Sequence, residues 1–436
     1  RGYGTVLRWS LAHRWVIVLL GAGIVLTTGP LFRTVGKTFL PQDDQSEFEI
    51  SARAPGGAAL AETARVMSEI EERVRGLRGV TEVLTTIGDQ SGRVKAGEGD
   101  VTSATMYVRM VDLHERRFSQ FAVMAEARAL LGQYPDLRTS VQGVNPLVTG
   151  GAHVSDVEFN LRGPDLERLQ AYGERMMAGM RELPGLVDVD TSLAVRTPEL
   201  RILIDREKAS DLGVSVRDIA ATVQTYVAGQ PISKYKEADE QYDIWLRAEP
   251  GKRRTPQDVY DLTVRARTGQ LVRLGNLVRL QEDLGPAEID RVDRQRALAV
   301  QANLLPSLPL GTAVAHVNAV AQRLELPALY NVQWTGRAKS LAESNVNFVL
   351  AFVLSIIFMY MVLAAQFESF LHPVTIMLAL PLTIPFALLS LVLLGEALNV
   401  YSVLGLFMLF GVVKKNGILQ IDYTNTLRAR GGARDA

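Results

Sequence analysis

Four apolar runs constrain this 436-residue chain more than any other feature of its sequence. The first covers residues 15–32, and the others cover 346–365, 372–395 and 400–421, separated by the short breaks QFESFLHP and EALN. A helix of about 18 or more apolar residues is long enough to cross roughly 30 Å of hydrocarbon. The sequence therefore predicts four membrane-spanning helices, and the short breaks make the last three close neighbours.

Two of the four runs admit other interpretations. The first could be the apolar part of a signal peptide, because Arg1, Arg8 and Arg14 form a positive flank. No small-x-small cleavage sequence follows it at the right distance, which favours a retained helix. Pro381 and Pro385 lie inside the third run, where membrane helices tolerate proline because neighbouring helices satisfy the freed backbone groups. Each run is therefore predicted to be one membrane helix.

Basic residues orient these helices. Three arginines precede the first run, and three more follow the last run at positions 428, 430 and 434. Both flanks are therefore expected on the cytoplasmic side of the membrane, which agrees with an even number of spans. The charged block of about 300 residues between the first and second spans is then expected on the outer side.

Charge balance and residue types exclude several functions. The 47 basic and 47 acidic residues give a net charge of zero, which argues against a nucleic-acid binder. The absence of cysteine excludes disulfide scaffolds, thiolate metal sites and cysteine nucleophiles. The five histidines are scattered, and the sequence has no GxxxxGK[ST] phosphate loop. We therefore expect neither an enzyme nor a bound metal or cofactor.

The charged block contains a recurring β-α-β pattern. In the first copy a strand is followed by a helix over 58–75, whose apolar residues recur with period 3.6 and are Leu60, Ala64, Met67, Ile70 and Val74. A second copy has its helix over 166–183, and two looser copies have helices near 120–131 and 312–324. Arg-Gly-Val at 78–80 matches Pro-Gly-Leu at 184–186, which marks the same point in two copies.

Four such units make two pairs, and each pair resembles the split β-α-β, or ferredoxin-like, arrangement with helices on one face of a sheet. Residues 199–291 interrupt the second pair. We expect an inserted α+β module there, because the strand pattern restarts afterwards; the alternative is one irregular large domain. The predicted fold class is a membrane protein that combines an α-helical bundle of four spans with a large α+β domain of ferredoxin-like β-α-β repeats.

The last apolar run is interrupted by Lys414, Lys415, Asn416 and Gln420. A lysine near the bilayer centre costs roughly 2.5–3.5 kcal/mol. Lys415 and Asp422 share a helix face but are separated by about 10–11 Å along the axis, too far for a direct pair. Lys415 therefore needs an acid from another helix, and the other three runs supply none at that depth.

Snorkelling to the membrane surface is the alternative for both lysines. The apolar residues that follow argue against it for Lys415. Lys414 lies about 100° around the helix from Lys415, and snorkelling fits it well.

These residues resemble those of resistance-nodulation-division (RND) exporters, and most closely the hydrophobic/amphiphilic efflux branch. The membrane core of the second half of such exporters is similar to VLAAQFESFLHPVTIMLALPL and LNVYSVLGLFMLFGVVKKNGILQIDYTN. The outer domain is similar to PQDDQSEFEISARAPGG and LGVSVRDIAATVQTYVAGQPISKY. The resemblance covers essentially the whole chain and implies the C-terminal half of a twelve-helix pump, so that the chain is expected to be an incomplete pump.

The resemblance also implies a domain plan. Its parts are a seventh-like membrane helix (1–35), porter subdomain 1 (36–152), porter subdomain 2 (153–198 and 292–340), a docking subdomain (199–291), three helices similar to the eighth to tenth (341–427) and a cytoplasmic tail (428–436).

The implied function is proton-driven export of drugs and amphiphiles from a bacterial inner membrane, with the large domain in the periplasm. By the resemblance Lys415, Asn416 and Asp422 belong to a proton relay that is powered by the proton motive force and completed by two aspartates of the N-terminal half. The implied partners are that N-terminal half, two further copies in a homotrimer, a periplasmic membrane-fusion adaptor, an outer-membrane channel and the lipid bilayer, but no nucleic acid.

One departure from the family and two rival functions stay open. The loop from Ile87 to Thr105 is polar and contains no phenylalanine, which puts an aromatic drug pocket in doubt. Metal export would need a ladder of methionines or carboxylates, whereas Met176, Met177 and Met180 are predicted to be core residues of a helix. A non-pumping membrane receptor or assembly protein of the same fold is the other rival.

Overall fold

The computed structural model describes residues 2–88, 100–144, 155–191, 197–285 and 289–430, and thus most of the polar loop 87–105 lies outside the described residues. The helices are α1 (Gly2–Ala12), α2 (Arg14–Leu26), α3 (Thr28–Thr34), α4 (Leu60–Arg75), α5 (Gln120–Leu131), α6 (Leu166–Arg181), α7 (Arg206–Asp211), α8 (Val216–Val223), α9 (Pro256–Tyr260), α10 (Leu310–Arg323), α11 (Gly336–Phe367), α12 (Leu371–Met377), α13 (Thr383–Leu394) and α14 (Val400–Ala429).

The strands are β1 (Glu47–Arg53), β2 (Val80–Gly88), β3 (Asp100–Met110), β4 (Arg138–Gly143), β5 (Val157–Gly163), β6 (Leu186–Thr191), β7 (Thr197–Ile204), β8 (Gln230–Glu237), β9 (Glu240–Leu246), β10 (Thr263–Arg265), β11 (Leu271–Arg273), β12 (Val278–Gly285), β13 (Arg291–Val292), β14 (Gln295–Leu304) and β15 (Asn331–Trp334).

The first sheet has the antiparallel strand order β2-β3-β1-β4, with α4 and α5 inserted between strands in the chain. Alternate residues of β1 are buried, because successive side chains of a strand point to opposite faces and one face of β1 lies toward the helices. Met67, Ile70 and Val74 of α4 are buried in the same core, as predicted. Leu60 belongs to the same predicted apolar face, but it is the first residue of α4 and is 52% exposed.

The second sheet repeats this arrangement with strands that are distant in sequence. Its order is β6-β14-β5-β15, so the same second-third-first-fourth pattern recurs, with β13 at the start of β14. Helices α6 and α10 supply the core on one face, which includes the predicted core residues Met176 and Met180. Gly79 and Gly185 have φ of +74° and +89° at the equivalent turns after α4 and α6. The matching glycine motifs therefore reflect a left-handed backbone that glycine adopts without steric cost.

Residues Ala194–Glu288 form a compact unit of their own, close to the bounds 199–291 drawn from the sequence. Strand β7 pairs with β12, β8 with β9 and β10 with β11. Its core is small and is centred on Ile219, Leu274 and Leu277.

Three stretches among the described residues are long and apolar enough to cross a membrane: Arg14–Thr34, Gly336–Phe367 and Val400–Ala429. The prediction of one helix over 372–395 was wrong, because this run consists of α12 and α13 with a turn between them. Pro381 lies in that turn; it has no N–H to donate, and it disfavours helical geometry in the preceding residue. Pro385 is tolerated in the first turn of α13.

Candidate functional site

The predicted relay residues lie on α14, whose start is fixed by a capping box. Asn399 Oδ1 accepts a hydrogen bond from Ser402 N at 2.9 Å, and Ser402 Oγ accepts one from Asn399 N at 3.1 Å. This reciprocal pair satisfies backbone groups that the first helical turn leaves free. The helix then runs without interruption to Ala429, which places Lys415 near its middle.

Close packing on the opposite side of α14 determines the direction of Lys415. A Cβ added to Gly417 would lie 3.2 Å from Ile376 Cγ2, so α14 and α12 meet at this glycine. Two residues correspond to about 200° around a helix, and Lys415 therefore points away from α12. Its side chain is exposed on the surface of the chain.

The neighbours of Lys415 on its face of α14 are mostly apolar, apart from Asp422 seven residues further along. Residues at intervals of three or four positions from Lys415 share its face, and this face carries large exposed side chains, which are Leu404, Met408, Val412, Leu419 and Tyr423. We call this face the lysine stripe. A lysine at the centre of an apolar stripe is an arrangement that a covering helix with an acidic residue would neutralise.

The structure does not bring the three predicted relay residues into contact with one another. Lys415, Asn416 and Asp422 are all exposed. Across the residues described, no ion pair or side-chain hydrogen bond involves Lys415, and none joins it to Asp422. In this arrangement the described residues therefore place no carboxylate in contact with Lys415.

A second polar cluster, which no sequence pattern predicted, lies where the two sheets and α11 meet. Arg337 Nη1 in the first turn of α11 donates to Asp156 Oδ1, just before β5. Arg128 Nε of α5 lies 3.0 Å from Asp188 Oδ2 of β6. Sequence spacing cannot reveal these pairs, because each joins residues that are brought together by the pairing of distant strands.

A cleft of about 140 Å³ runs beside this cluster. Its polar lining includes Arg128, Asp156, Asn303 and Arg337, and Phe121 contributes to its apolar lining. Asn303 is 2% exposed, and its Oδ1 has no hydrogen-bond partner among the described residues. The cleft is therefore a place where water or a hydrogen-bond donor would be stabilised.

Comparison with known proteins defines the class of membrane protein to which this fold and this lysine belong. The whole chain, residues 1–436, matches the AcrB/AcrD/AcrF family. The chain therefore belongs to this family of RND transporters, as its sequence resemblance predicted.

Two curated relatives are the multidrug resistance proteins MdtC of Yersinia pestis bv. Antiqua (strain Angola) and of Yersinia pseudotuberculosis serotype O:3 (strain YPIII). Each is 25% identical over 440 residues, which cover 100% of this chain and 42% of the relative. The chain thus spans about two fifths of the length of these relatives.

Two crystal forms of a heavy metal efflux pump have the same fold. Crystal form II superposes with a TM-score of 0.83 at 22% identity and covers 96% of this chain and 44% of the pump chain. Crystal form I gives a TM-score of 0.80 over 92% of this chain and 42% of the pump chain.

Proposed function

We propose that this chain is the C-terminal half of a proton-driven RND exporter for drugs and amphiphilic compounds, the inner-membrane component of a tripartite assembly. One observation carries the proposal: Lys415 lies midway along a helix long and apolar enough to span a membrane, at the centre of the lysine stripe. Family membership supports it. An unpaired charge there has a high free energy, which a partner carboxylate would lower.

In the proposed mechanism Lys415 alternates between a paired and a free state. Aspartates of the N-terminal half pair with it when they are ionised and release it when they bind protons. Asn416 and Asp422 complete the polar surroundings of the relay on α14. Because a charge in a low-dielectric environment interacts strongly, each exchange can drive a helix movement.

The proposed domain roles follow the two sheets and the inserted unit. The first sheet would be porter subdomain 1, and the second sheet porter subdomain 2, each as a ferredoxin-like unit. The unit Ala194–Glu288 would be the docking subdomain toward an outer-membrane channel. We place the large domain in the periplasm, where a homotrimer would bind a membrane-fusion adaptor. We also propose that α12 and α13 together form the third of the four membrane spans in chain order.

Lys415→Ala in the gene restored to the full length of its relatives tests the relay. We expect loss of proton-coupled dye efflux, because the aspartates of the other half would lose their cationic partner. Lys414→Ala is the matched control, since Lys414 is the adjacent lysine on a different face. Normal efflux by Lys415→Ala, with both variants present in the membrane at wild-type levels, would exclude the assigned role.

Metal export is the second candidate, and the fold shared with a heavy metal efflux pump favours it. Against it, Met176 and Met180 are 1% and 0% exposed in the core of the second sheet, where they are not available as ligands. Metal-dependent growth protection by the restored pump, without any efflux of amphiphilic dyes, would favour this candidate. Adaptor binding without proton-linked transport would instead favour a non-pumping receptor of the same fold.

A further inference from the structure

Asp156 collects hydrogen bonds from three separate segments of the chain. Arg337 Nη1 of α11 donates to its Oδ1. Gln42 Nε2, in the segment after the first apolar run, and Leu304 N, at the end of β14, both donate to its Oδ2 at 3.0 Å. The side chains of Asp156 and Arg337 are only 14% and 19% exposed, and this one carboxylate therefore joins α11 to the second sheet.

Helix α11 begins at the edge of the second sheet. Strand β15 pairs with β5, and Thr335 alone separates the end of β15 from α11. Thr335 N donates to Glu158 O of β5 at 3.0 Å. Ala338, one residue after Arg337, is 5% exposed in the core of this sheet. The first turn of a helix that is long enough to span a membrane is thus packed into the outer domain.

We propose that Asp156 and Arg337 form a releasable clasp that fixes the first turn of α11 to the second sheet. When the clasp is closed it fixes the direction in which α11 leaves the sheet. It opens when water from the adjacent cleft hydrates both side chains. That α11 moves in this way during transport rests on the proposed function, whereas the clasp itself does not.

Not every polar group of the clasp has a hydrogen-bond partner or a compensating charge, which makes the clasp releasable. Arg337 Nε is buried and has no hydrogen-bond partner among the described residues. The charged groups that face Asp156 are Arg337 of α11, Arg128 of α5 and Asp188 of β6, and the last of these repels it. Burial raises the pKa of Asp156 more than Arg337 and the Leu304 N–H lower it, so the ionised carboxylate is not fully compensated.

The raised pKa determines the sign of the pH effect. The closed clasp buries Asp156, whereas the open state hydrates it and returns its pKa to the ordinary value of about 4. Protons therefore bind more tightly to the closed state, which is most stable at low pH and weakens as the pH rises through the raised pKa. Glu158 of β5 has a pKa that burial also raises, and its contribution must be measured separately.

Because the chain has no cysteine, single introduced cysteines report the clasp directly. In the full chain in membranes, Ala338→Cys would be labelled by a maleimide only when the first turn of α11 leaves the sheet. Labelling at Leu329→Cys, a position 69% exposed, corrects for the pH dependence of the reagent. Ala127→Cys, in a position 0% exposed in the core of the first sheet, reports global unfolding.

We expect Arg337→Gln to accelerate labelling of Ala338→Cys about tenfold or more, because it leaves Asp156 buried without its cation. Arg337→Lys, which keeps the charge, should stay close to the parent chain. The corrected rate should rise with pH, and Asp156→Asn should abolish this rise whereas Glu158→Gln should not. The proposal fails if Arg337→Gln and Arg337→Lys label alike, or if Ala127→Cys is accelerated as much as Ala338→Cys.

Labelling requires no transport, so the labelling result is independent of the proposed function. In the restored pump, we expect Arg337→Gln to reduce dye efflux several-fold and Arg337→Lys to preserve it. Accelerated labelling with unchanged efflux would support the existence of the clasp but exclude its role in transport.

Discussion

Gly417 of α14 lies against Ile376 of α12, with so little space that a Cβ on the glycine would be 3.2 Å from the isoleucine Cγ2. This contact fixes the rotation of α14 about its own axis. It turns the lysine stripe outward, away from the two short helices α12 and α13. The environment of Lys415 is therefore set by a glycine two residues away.

Gly417→Leu should separate α12 from α14, because a larger side chain has no space beside Ile376. We expect a loss of about 1–3 kcal/mol in the free energy of unfolding, which is typical of overpacking. Gly405→Leu on the same helix is the matched control, since a Cβ there meets nothing within 4 Å. Thermal unfolding of the detergent-solubilised chain measures both, and equal midpoints would contradict this packing.

The two repeat glycines, Gly79 and Gly185, should also resist substitution. At Gly79 and Gly185 the left-handed backbone costs an alanine about 1–2 kcal/mol. A Cβ would also lie 2.6 Å from Phe118 Cζ and 2.9 Å from Leu308 Cβ, respectively.

Gly79→Ala and Gly185→Ala should therefore each lower the denaturant midpoint of the full chain. Gly132→Ala is the control, because Gly132 has helical geometry at the end of α5 and room for a Cβ at 3.5 Å. Unchanged midpoints in both repeat variants would mean that the two turns adapt to a side chain.

Arg116 and Asp44 form an ion pair that joins the segment after β3 to the segment before β1 in the first sheet. The arginine side chain is 1% exposed. Arg116 Nε also donates to Val111 O at 2.9 Å. Arg116→Ala should destabilise this sheet by about 3–5 kcal/mol, because it leaves a carboxylate in a mostly buried place without its cation. Hydrogen-exchange mass spectrometry on the full chain would show faster exchange in β1 and α5, with the unit Ala194–Glu288 as an internal control.

The same ion pair predicts an acid-sensitive first sheet. Burial alone would raise the pKa of Asp44, but hydrogen bonds from Arg116 and from the backbone N–H groups of Gln120 and Ser46 outweigh it and hold the pKa below its usual range. The stabilisation is therefore present above the ordinary pKa of about 4 and is lost as pH falls through the lower, folded-state value. Exchange in β1 should accelerate with acid, and Asp44→Asn should reduce this pH dependence.

Asn303 links the two sheets. Its Nδ2 donates to Ser140 Oγ at 2.7 Å and to Asp188 Oδ2 at 3.0 Å. Asn303→Ala should destabilise the chain by about 1–3 kcal/mol, since buried acceptors lose their donor, and Asn303→Asp should cost more because a second carboxylate would face Asp188. Gln295→Ala, at an exposed position of the same strand β14, is the comparison, and equal thermal midpoints for the three variants would refute the link.

Local features of the sequence predicted a large part of this fold. The four apolar runs, the β-α-β repeats and the two turn glycines depend on side-chain period and backbone preference within a few residues. Lys415 also stood out locally, because one charge in an apolar run is anomalous wherever the helix packs. The family resemblance rested on such local motifs, and the comparison confirmed it.

Tertiary structure decided what depends on residues far apart in the chain. The sequence alone determined that α14 carries a lysine in an apolar span, but the contact between Gly417 and Ile376 decided which way that lysine faces. The pair between Asp156 and Arg337, residues 181 positions apart, likewise appears only in the folded chain. Periodicity specifies which face of an element is apolar, whereas strand order and helix packing specify which faces meet, and the clasp exists only where they meet.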